Sequence, residues 1–432
     1  MGVESRGGEF PWEIVPDSTM ELIRPHQREA LAFLFKRIKA LISLPPGAGK
    51  TLIGCLWLLA NNPSRALVIC PTGKRKDWAR DYQKWCGVAF TGLITTPDLL
   101  KTSHEMLKSH YSCVVFDECH SIKEVASQRT KSILPLLKRC PSICLLTGTP
   151  QMNNAYELFP LLSALEPLVF SNFYTFRDCF CDMETFYVRG REQVRYIGHK
   201  NEGVLSKILE RVSYRKRDVV TTSVGFRRKM VDVGLPADEK EHFKSLMEEF
   251  RALRETDDPM IQVHVNKMWA EAGRVKAEIS RVMLMNLVSK NKGGVILFCC
   301  HLDVVDKLTS YFPGCEVITG ATSQKARDEV VQRMSSGLSK VGVFTVDAAS
   351  EGLNLAPGVT TTVFVELHRV PSKMTQAECR AYRMGAVHDV TSYWLVLERS
   401  WDEMVLRKLQ QKAMGNAMVV DGEEDNGGFE FE

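Results

Sequence analysis

The sequence predicts an α/β protein of two lobes, each a mainly parallel sheet flanked by helices, with a helical insertion between them. Three observations predict it. The apolar run Ala40-Leu41-Ile42 leads through a glycine turn, Gly47-Ala48-Gly49, into Lys50-Thr51 and the breaker-free stretch IGCLWLLA, which is a strand, a turn and a helix. Further short apolar runs at 66–70, 113–116 and 143–146 each end in polar or acidic residues, as buried parallel strands with functional loops at their carboxyl ends do. From Gly293 the alternation of strand and helix restarts without a second glycine turn of this kind.

A chain of 432 residues exceeds one ordinary core, so two domains are expected. No run of eighteen apolar residues exists, and the start MGVESRGGEF lacks the apolar core of a secretory signal, so neither a membrane span nor secretion is expected. Thirteen cysteines without metal or disulfide spacing fit a reducing compartment, and Cys179-Phe180-Cys181 is too tight for a zinc pair. The net charge of +4 is uneven: Asp421 to Glu432 holds six acids and no base, which leaves 56 bases against 46 acids, or +10, elsewhere. Residues 416–432 therefore read as an acidic, solvated tail, residues 1–18 as an extension, and the body as basic enough to accept a polyanion without requiring one.

The glycine turn can aim backbone N–H groups at phosphate, helped by the helix N-terminus. Pro46, Gly47, Ala48, Gly49, Lys50, Thr51 and Leu52 form the candidate cradle. Lys50 would reach the β- and γ-phosphates and Thr51 would hold Mg²⁺. The first glycine of the longer P-loop pattern is absent, since Leu44 or Pro45 stands there, so an ordinary glycine turn is the plainer alternative. Upstream, Arg24 and Gln27 are candidate nucleotide contacts, because a glutamine amide can read both edges of adenine. An exposed helix glutamine is the alternative. The strand at 113–116 runs into Asp117 and Glu118, placed to complete a Mg²⁺ shell and to orient the attacking water. His120, Thr147 and Thr149 are candidates for coupling nucleotide state to the second lobe. Thr72, Gly73 and Lys74, at the end of the strand at 66–70, offer a hydroxyl, an N–H and an ammonium to a nucleic-acid phosphate. A solvated basic helix face is the alternative there.

In the second half, residues 210–230 carry seven bases against two acids. Arg215 and Lys216 are candidate backbone contacts in what reads as a basic linker over 213–235. Helical periodicity marks 236–289, and strand runs follow at 293–298, 316–320, 341–345, 361–367 and 392–397. Arg380 and Arg383, three apart in a segment read as helix, would share one face and could present guanidinium groups to a γ-phosphate.

PPGAGKT, DECHSIK with Ser127-Gln128-Arg129-Thr130, and LLTGTPQMNNAYELFPLL resemble the first lobe of the Snf2 family of superfamily 2 translocases. The stretch from LVFSNFYTFRDCFCD to NEGVLSKILERVSYRKRDVV is similar to the HepA-related, annealing-helicase branch, whose members rewind DNA. QAECRAYRMG resembles the family's arginine motif, and the likeness runs from about Leu22 to Ala413. The resemblance implies two RecA-like lobes, at 19–212 with a helical protrusion and at 236–415. It implies ATP and Mg²⁺ as cofactors, duplex or branched DNA as partner, a monomer, and a nuclear location in a eukaryote. It implies Arg383 as the arginine finger and Arg380 as a γ-phosphate or interlobe contact. Gln376 would couple the lobes. Ser350 would touch DNA and Gly352 nucleotide, in a turn like the family's motif V. ATP would then be hydrolysed as the lobes close, with translocation on duplex or forked DNA. An RNA-directed helicase and a non-hydrolysing nucleotide-gated clamp are the rival readings. The sequence also departs from the family: Cys86 to Leu93 is short, Met384-Gly385-Ala386 stands for IGQ, and Ala349-Ser350 stands where paired glycines are usual.

Overall fold

The structure is a computed structural model and describes residues 9–61, 65–148, 155–188, 191–216, 219, 224–255, 260–349, 353–383, 385–407 and 410. The chain divides into two compact units, the first running to Val219 and the second from Val220 to Met414. In the first lie strands β1 (Lys39–Ser43), β2 (Ala66–Ile69), β3 (Leu93–Thr95), β4 (Cys113–Asp117), β5 (Ser142–Thr147), β6 (Cys181–Val188), β7 (Arg191–His199) and β8 (Ser213–Arg215). Six of them form one sheet in the order β3-β2-β4-β5-β1-β8. Every pairing in it is parallel, so the carboxyl ends of β2, β4, β5 and β1 lie side by side along one edge.

Both faces of this sheet are buried, which explains why its strands read as unbroken apolar runs. Leu41, Leu67, Ile69, Val114, Phe116, Ile143 and Leu145 point into one core, with Phe159, Leu161 and Leu162 of the helix Phe159–Leu165. Their neighbours Ala40, Ile42, Val68, Val115, Cys144 and Leu146 point into the other, against Ile53, Leu56 and Trp57 of the helix Lys50–Ala60. At roughly 25 cal/mol per Å² of apolar surface, this two-sided burial is the main force holding the edge in place. Phe10 and Val15 are also buried in the second core, so the segment read as an extension includes residues of the body.

In the second unit, β9 (Phe226–Val233), β10 (Gly294–Cys299), β11 (Glu316–Ile318), β12 (Val341–Thr345), β13 (Val359–Phe364) and β14 (Val390–Leu397) form a sheet in the order β11-β12-β10-β13-β14-β9. All its pairings are again parallel. The helices Lys240–Glu255, Ile261–Ile279 and Arg281–Lys290 supply the helical stretch expected over 236–289.

Two expectations need correction. Residues 213–235 are not a plain linker, because β8 extends the first sheet and β9 pairs along its whole length with β14 of the second. The basic side chains misled the reading: β9 is an edge strand on which exposed Arg227 alternates with buried Arg228. The protrusion of the first unit is also more than helical. Between the helices Phe173–Phe180 and Glu202–Val212, β6 and β7 form an antiparallel hairpin.

Candidate functional site

The glycine turn folds as the sequence requires. Gly47 and Gly49 have φ of 84° and 78°, in the left-handed region that side chains avoid, and Gly49 caps the helix that starts at Lys50. Lys50 is buried, and its Nζ donates to the carbonyls of Leu44 and Pro45 at 2.8 and 3.1 Å, so the ammonium folds back over the turn. Gly148, just after β5, lies against the same ammonium: a Cβ there would be 3.2 Å from Nζ. Thr51 sits in the first turn of the helix.

Gln27 is bound into this turn and is not an exposed helix glutamine. Its Oε1 accepts from the Arg24 N–H at 2.9 Å, capping the helix Pro25–Lys36, and its Nε2 donates to the Ala48 carbonyl at 3.1 Å. His26 Nε2 meets the same carbonyl at 2.9 Å, and burial holds this imidazole below its usual pKa. A Cβ on Gly49 would sit 2.2 Å from Gln27 Nε2, so only glycine lets the amide this close.

The acids stand on the same edge, at the carboxyl end of β4. Asp117 is buried, and its Oδ2 accepts from Trp78 Nε1 at 3.1 Å and from Lys74 Nζ at 3.3 Å. Glu118 has φ of 53°, which turns its side chain off the strand line. Its Oε1 is 3.8 Å from Lys74 Nζ and its Oε2 is 3.4 Å from His120 Nδ1. His120 Nδ1 is also 3.4 Å from Thr147 Oγ1, and burial keeps this histidine below its ordinary pKa, hence mostly neutral. A continuous chain, Lys74–Glu118–His120–Thr147, thus crosses the ends of β2, β4 and β5.

A hard oxygen donor set suits Mg²⁺. The Asp117 carboxylate and the Thr51 hydroxyl are of that type, and the ammonium beside Asp117 shows that this carboxylate faces a place where a cation is accommodated. No cluster of three or more His, Cys, Asp or Glu side chains able to hold a metal exists among the described residues.

Sequence reasoning missed Trp78. The basic residues of the helix Arg75–Cys86 drew the reading to phosphate contact, with a solvated face as the alternative, yet Trp78 and Tyr82 on it are buried. The available signal was the spacing of Trp78, Tyr82 and Cys86, four residues apart on an otherwise polar helix. Lys74, expected to point at nucleic acid, instead has its ammonium on the acids. Lys216 pairs with Glu29 at 3.0 Å, while Arg215 ends β8. Thr72 and Gly73 form the turn Thr72–Lys74.

In the second unit, the helix expected to carry both arginines ends early. It spans Pro371–Glu378, and Arg380 and Arg383 follow in turns. Hydrogen bonds hold these turns in place. The Arg380 carbonyl accepts from the Leu355 N–H at 3.0 Å, and the Ala381 and Tyr382 N–H groups both bond to the Glu378 carbonyl. Arg383 Nη1 donates to the Leu353 carbonyl at 3.1 Å, which stitches this turn to the stretch resembling motif V. Glu378 anchors the turn from below: its carboxylate accepts from Arg228 Nε at 3.0 Å, Arg228 Nη2 at 2.6 Å and Trp394 Nε1 at 2.9 Å, all buried. Gln376 is buried on the same helix. Cys300 and His301 donate their N–H groups to buried Glu366 at 2.7 and 3.0 Å. Thr149, Ser350 and Gly352 lie outside the described residues.

Comparison with known proteins decides the family. A model of the SNF2-related domain matches residues 88–292, and one of the helicase conserved C-terminal domain matches residues 278–385. That pair of domains is the one the Snf2 family carries. The chain is also similar to members of the HepA-related branch. It is 26% identical over 424 residues to the Xenopus tropicalis SWI/SNF-related matrix-associated actin-dependent regulator of chromatin subfamily A-like protein 1, covering 90% of this chain and 44% of that protein. It is 23% identical over 457 residues to the Bos taurus DNA annealing helicase and endonuclease ZRANB3, covering 96% of this chain and 42% of that protein. This Snf2 chain therefore spans less than half the length of these curated relatives. A solved structure, the Sulfolobus solfataricus SWI2/SNF2 ATPase core in complex with dsDNA, matches with 17% identity and a TM-score of 0.42, covering 92% of each chain. Among the described residues, no helix is long and apolar enough to cross a membrane.

Proposed function

We propose that this Snf2 chain is a DNA-dependent ATPase that translocates on duplex or forked DNA and remodels or reanneals it. The observation that carries the reading is the meeting, on one edge of a parallel sheet, of the ends of β1, β4 and β5. They bring Lys50 on its glycine turn, the Asp117–Glu118 pair, and His120 with Thr147. One relative is a DNA annealing helicase, which sets the direction of the proposal for the DNA substrate.

In this mechanism the backbone N–H groups of 47–51 and Lys50 bind the phosphates of ATP. Mg²⁺ would be held by Thr51 and Asp117 and would neutralise charge on those phosphates. Glu118 orients the attacking water and takes its proton, and neutral His120 passes a change at Glu118 on to Thr147. Gln27, together with Arg24, positions the base, because its amide is already fixed to the Ala48 carbonyl. Arg383 stabilises the transferring phosphoryl charge and Arg380 supports it. A nuclear location in a eukaryote and action as a monomer belong to the same proposal.

The test is ATP turnover against a panel of duplex DNA, forked DNA and RNA, followed by strand annealing with the best activator. Wild type should be stimulated most by DNA, and Lys50→Ala and Glu118→Ala should each abolish turnover. Stimulation by RNA alone would instead favour an RNA-directed helicase. Absence of turnover with every nucleic acid would favour a nucleotide-gated clamp.

A further inference from the structure

Lys74 stands on the turn that joins β2 to the helix Arg75–Cys86, beside the strand that ends in the two acids. Its ammonium is 3.3 Å from Asp117 Oδ2 and 3.8 Å from Glu118 Oε1, so one charge spans both carboxylates. The side chain is 24% exposed, at the boundary between the acids and solvent. A lysine suits such a place because its charge is a point on a flexible stem and needs no fixed fork of donors.

We propose that Lys74 is an exchangeable latch: its ammonium rests on Asp117 and Glu118 in the absence of nucleic acid and moves to a backbone phosphate when nucleic acid binds. The inference rests on the reading of those acids given under Proposed function and names how the site is regulated. Three features of the geometry support it. The ammonium and a divalent cation would compete for the same Asp117 carboxylate, since like charges cannot share it closely. Asp117 keeps the Trp78 N–H on Oδ2 when the ammonium leaves, so the carboxylate stays oriented. Glu118 keeps His120 at 3.4 Å, and His120 keeps Thr147 at 3.4 Å, so the neighbours of the second acid also stay in place when the ammonium leaves.

The latch makes nucleic-acid stimulation a matter of charge exchange. With Lys74 in place, its ammonium occupies the carboxylate that a divalent cation would need and lies against Glu118, and turnover is held down. A phosphate that draws the ammonium away frees both carboxylates at once. The side chain that detects the polyanion is the one that restrained the acids.

The test compares full-length wild type with Lys74→Met, which keeps the apolar stem and loses the charge, and with Lys74→Arg, which keeps the charge. Thermal melts establish that each variant folds. The first readout is binding of a fluorescent ADP analogue without DNA as Mg²⁺ is raised. The latch predicts that Lys74→Met reaches half-saturation at a Mg²⁺ concentration lower by on the order of threefold or more. Turnover without DNA should rise several-fold in this variant and the stimulation by DNA should shrink. The salt slope of DNA binding should fall by about one, the signature of one lost phosphate contact. Lys74→Arg should stay close to wild type in the Mg²⁺ titration. An unchanged or higher Mg²⁺ midpoint in folded Lys74→Met would overturn the latch. If wild type shows no turnover with any nucleic acid, the functional reading fails, while the Mg²⁺ midpoint still decides the latch.

Discussion

The indole Nε1 of Trp78 donates to Oδ2 of Asp117 at 3.1 Å, and both side chains are buried. A tryptophan on one helix thereby holds the acid at the end of the neighbouring strand. Trp78→Phe keeps most of the packing and removes the donor. It should cost about 1.5–3 kcal/mol of stability, the usual range for a lost hydrogen bond to a charged group. Turnover should fall by about tenfold, while nucleotide binding without Mg²⁺ should change little. Urea unfolding and single-turnover assays check both; an unaltered rate would make Trp78 merely part of the core.

Gly54 explains how the indole reaches the acid. It lies on the helix Lys50–Ala60, and a Cβ there would sit 2.7 Å from Trp78 Cη2 and 3.2 Å from Leu146 Cδ1. Gly54→Ala should therefore destabilise by about 1–3 kcal/mol through overpacking, despite the better helix propensity of alanine. Phenylalanine lacks the clashing atom, so the double variant Gly54→Ala/Trp78→Phe should be less destabilised than the sum of the two singles. A double-mutant cycle measured by denaturation is the check.

These two residues also mark where the sequence was legible. The strands could be read because both sheet faces are buried, which writes them as plain apolar runs. The glycine turn could be read because positive φ at Gly47 and Gly49 demands the residue type. Trp78 could not be assigned to the site, because its partner lies 39 residues away and its own helix is mostly polar. The basic segment 213–235 was misread for a similar reason. Charge on an edge strand looks like charge on a linker until the pairing of β9 with β14 is known. The turns that carry Arg380 and Arg383 were hidden because they are held by Leu355 and Leu353, contacts between distant segments.

The Arg228–Glu378 pair supports the turn that carries both arginines. Glu378→Gln leaves Arg228 buried with a neutral partner and should cost about 3–5 kcal/mol. Arg228→Met/Glu378→Leu removes both charges and should cost less than Glu378→Gln alone, as replaced buried pairs often do. Circular dichroism during urea unfolding gives the comparison. A double variant as unstable as the sum of the singles would show that the two side chains act separately.

His368 gives the second unit a pH dependence of definite sign. Burial, the first cause, together with Lys373 and Arg369, lowers its pKa from 6.5 to about 4, while Asp347 pulls the other way. Its Nδ1 accepts from the Val370 N–H at 3.0 Å, a bond that only the unprotonated ring nitrogen can take. Below pH 6.5 the unfolded chain binds this proton and the folded chain resists it, so the stability contribution is full above 6.5 and is lost as pH falls to about 4. The Asp347 carboxyl is held below its usual value, with Lys373 bonded to it, and does not reverse the trend in that window. His368→Asn retains an acceptor and no longer titrates there. Its urea midpoint should therefore decline less than that of wild type between pH 6.5 and 4. Equal slopes for the two proteins would assign the acid sensitivity to other groups.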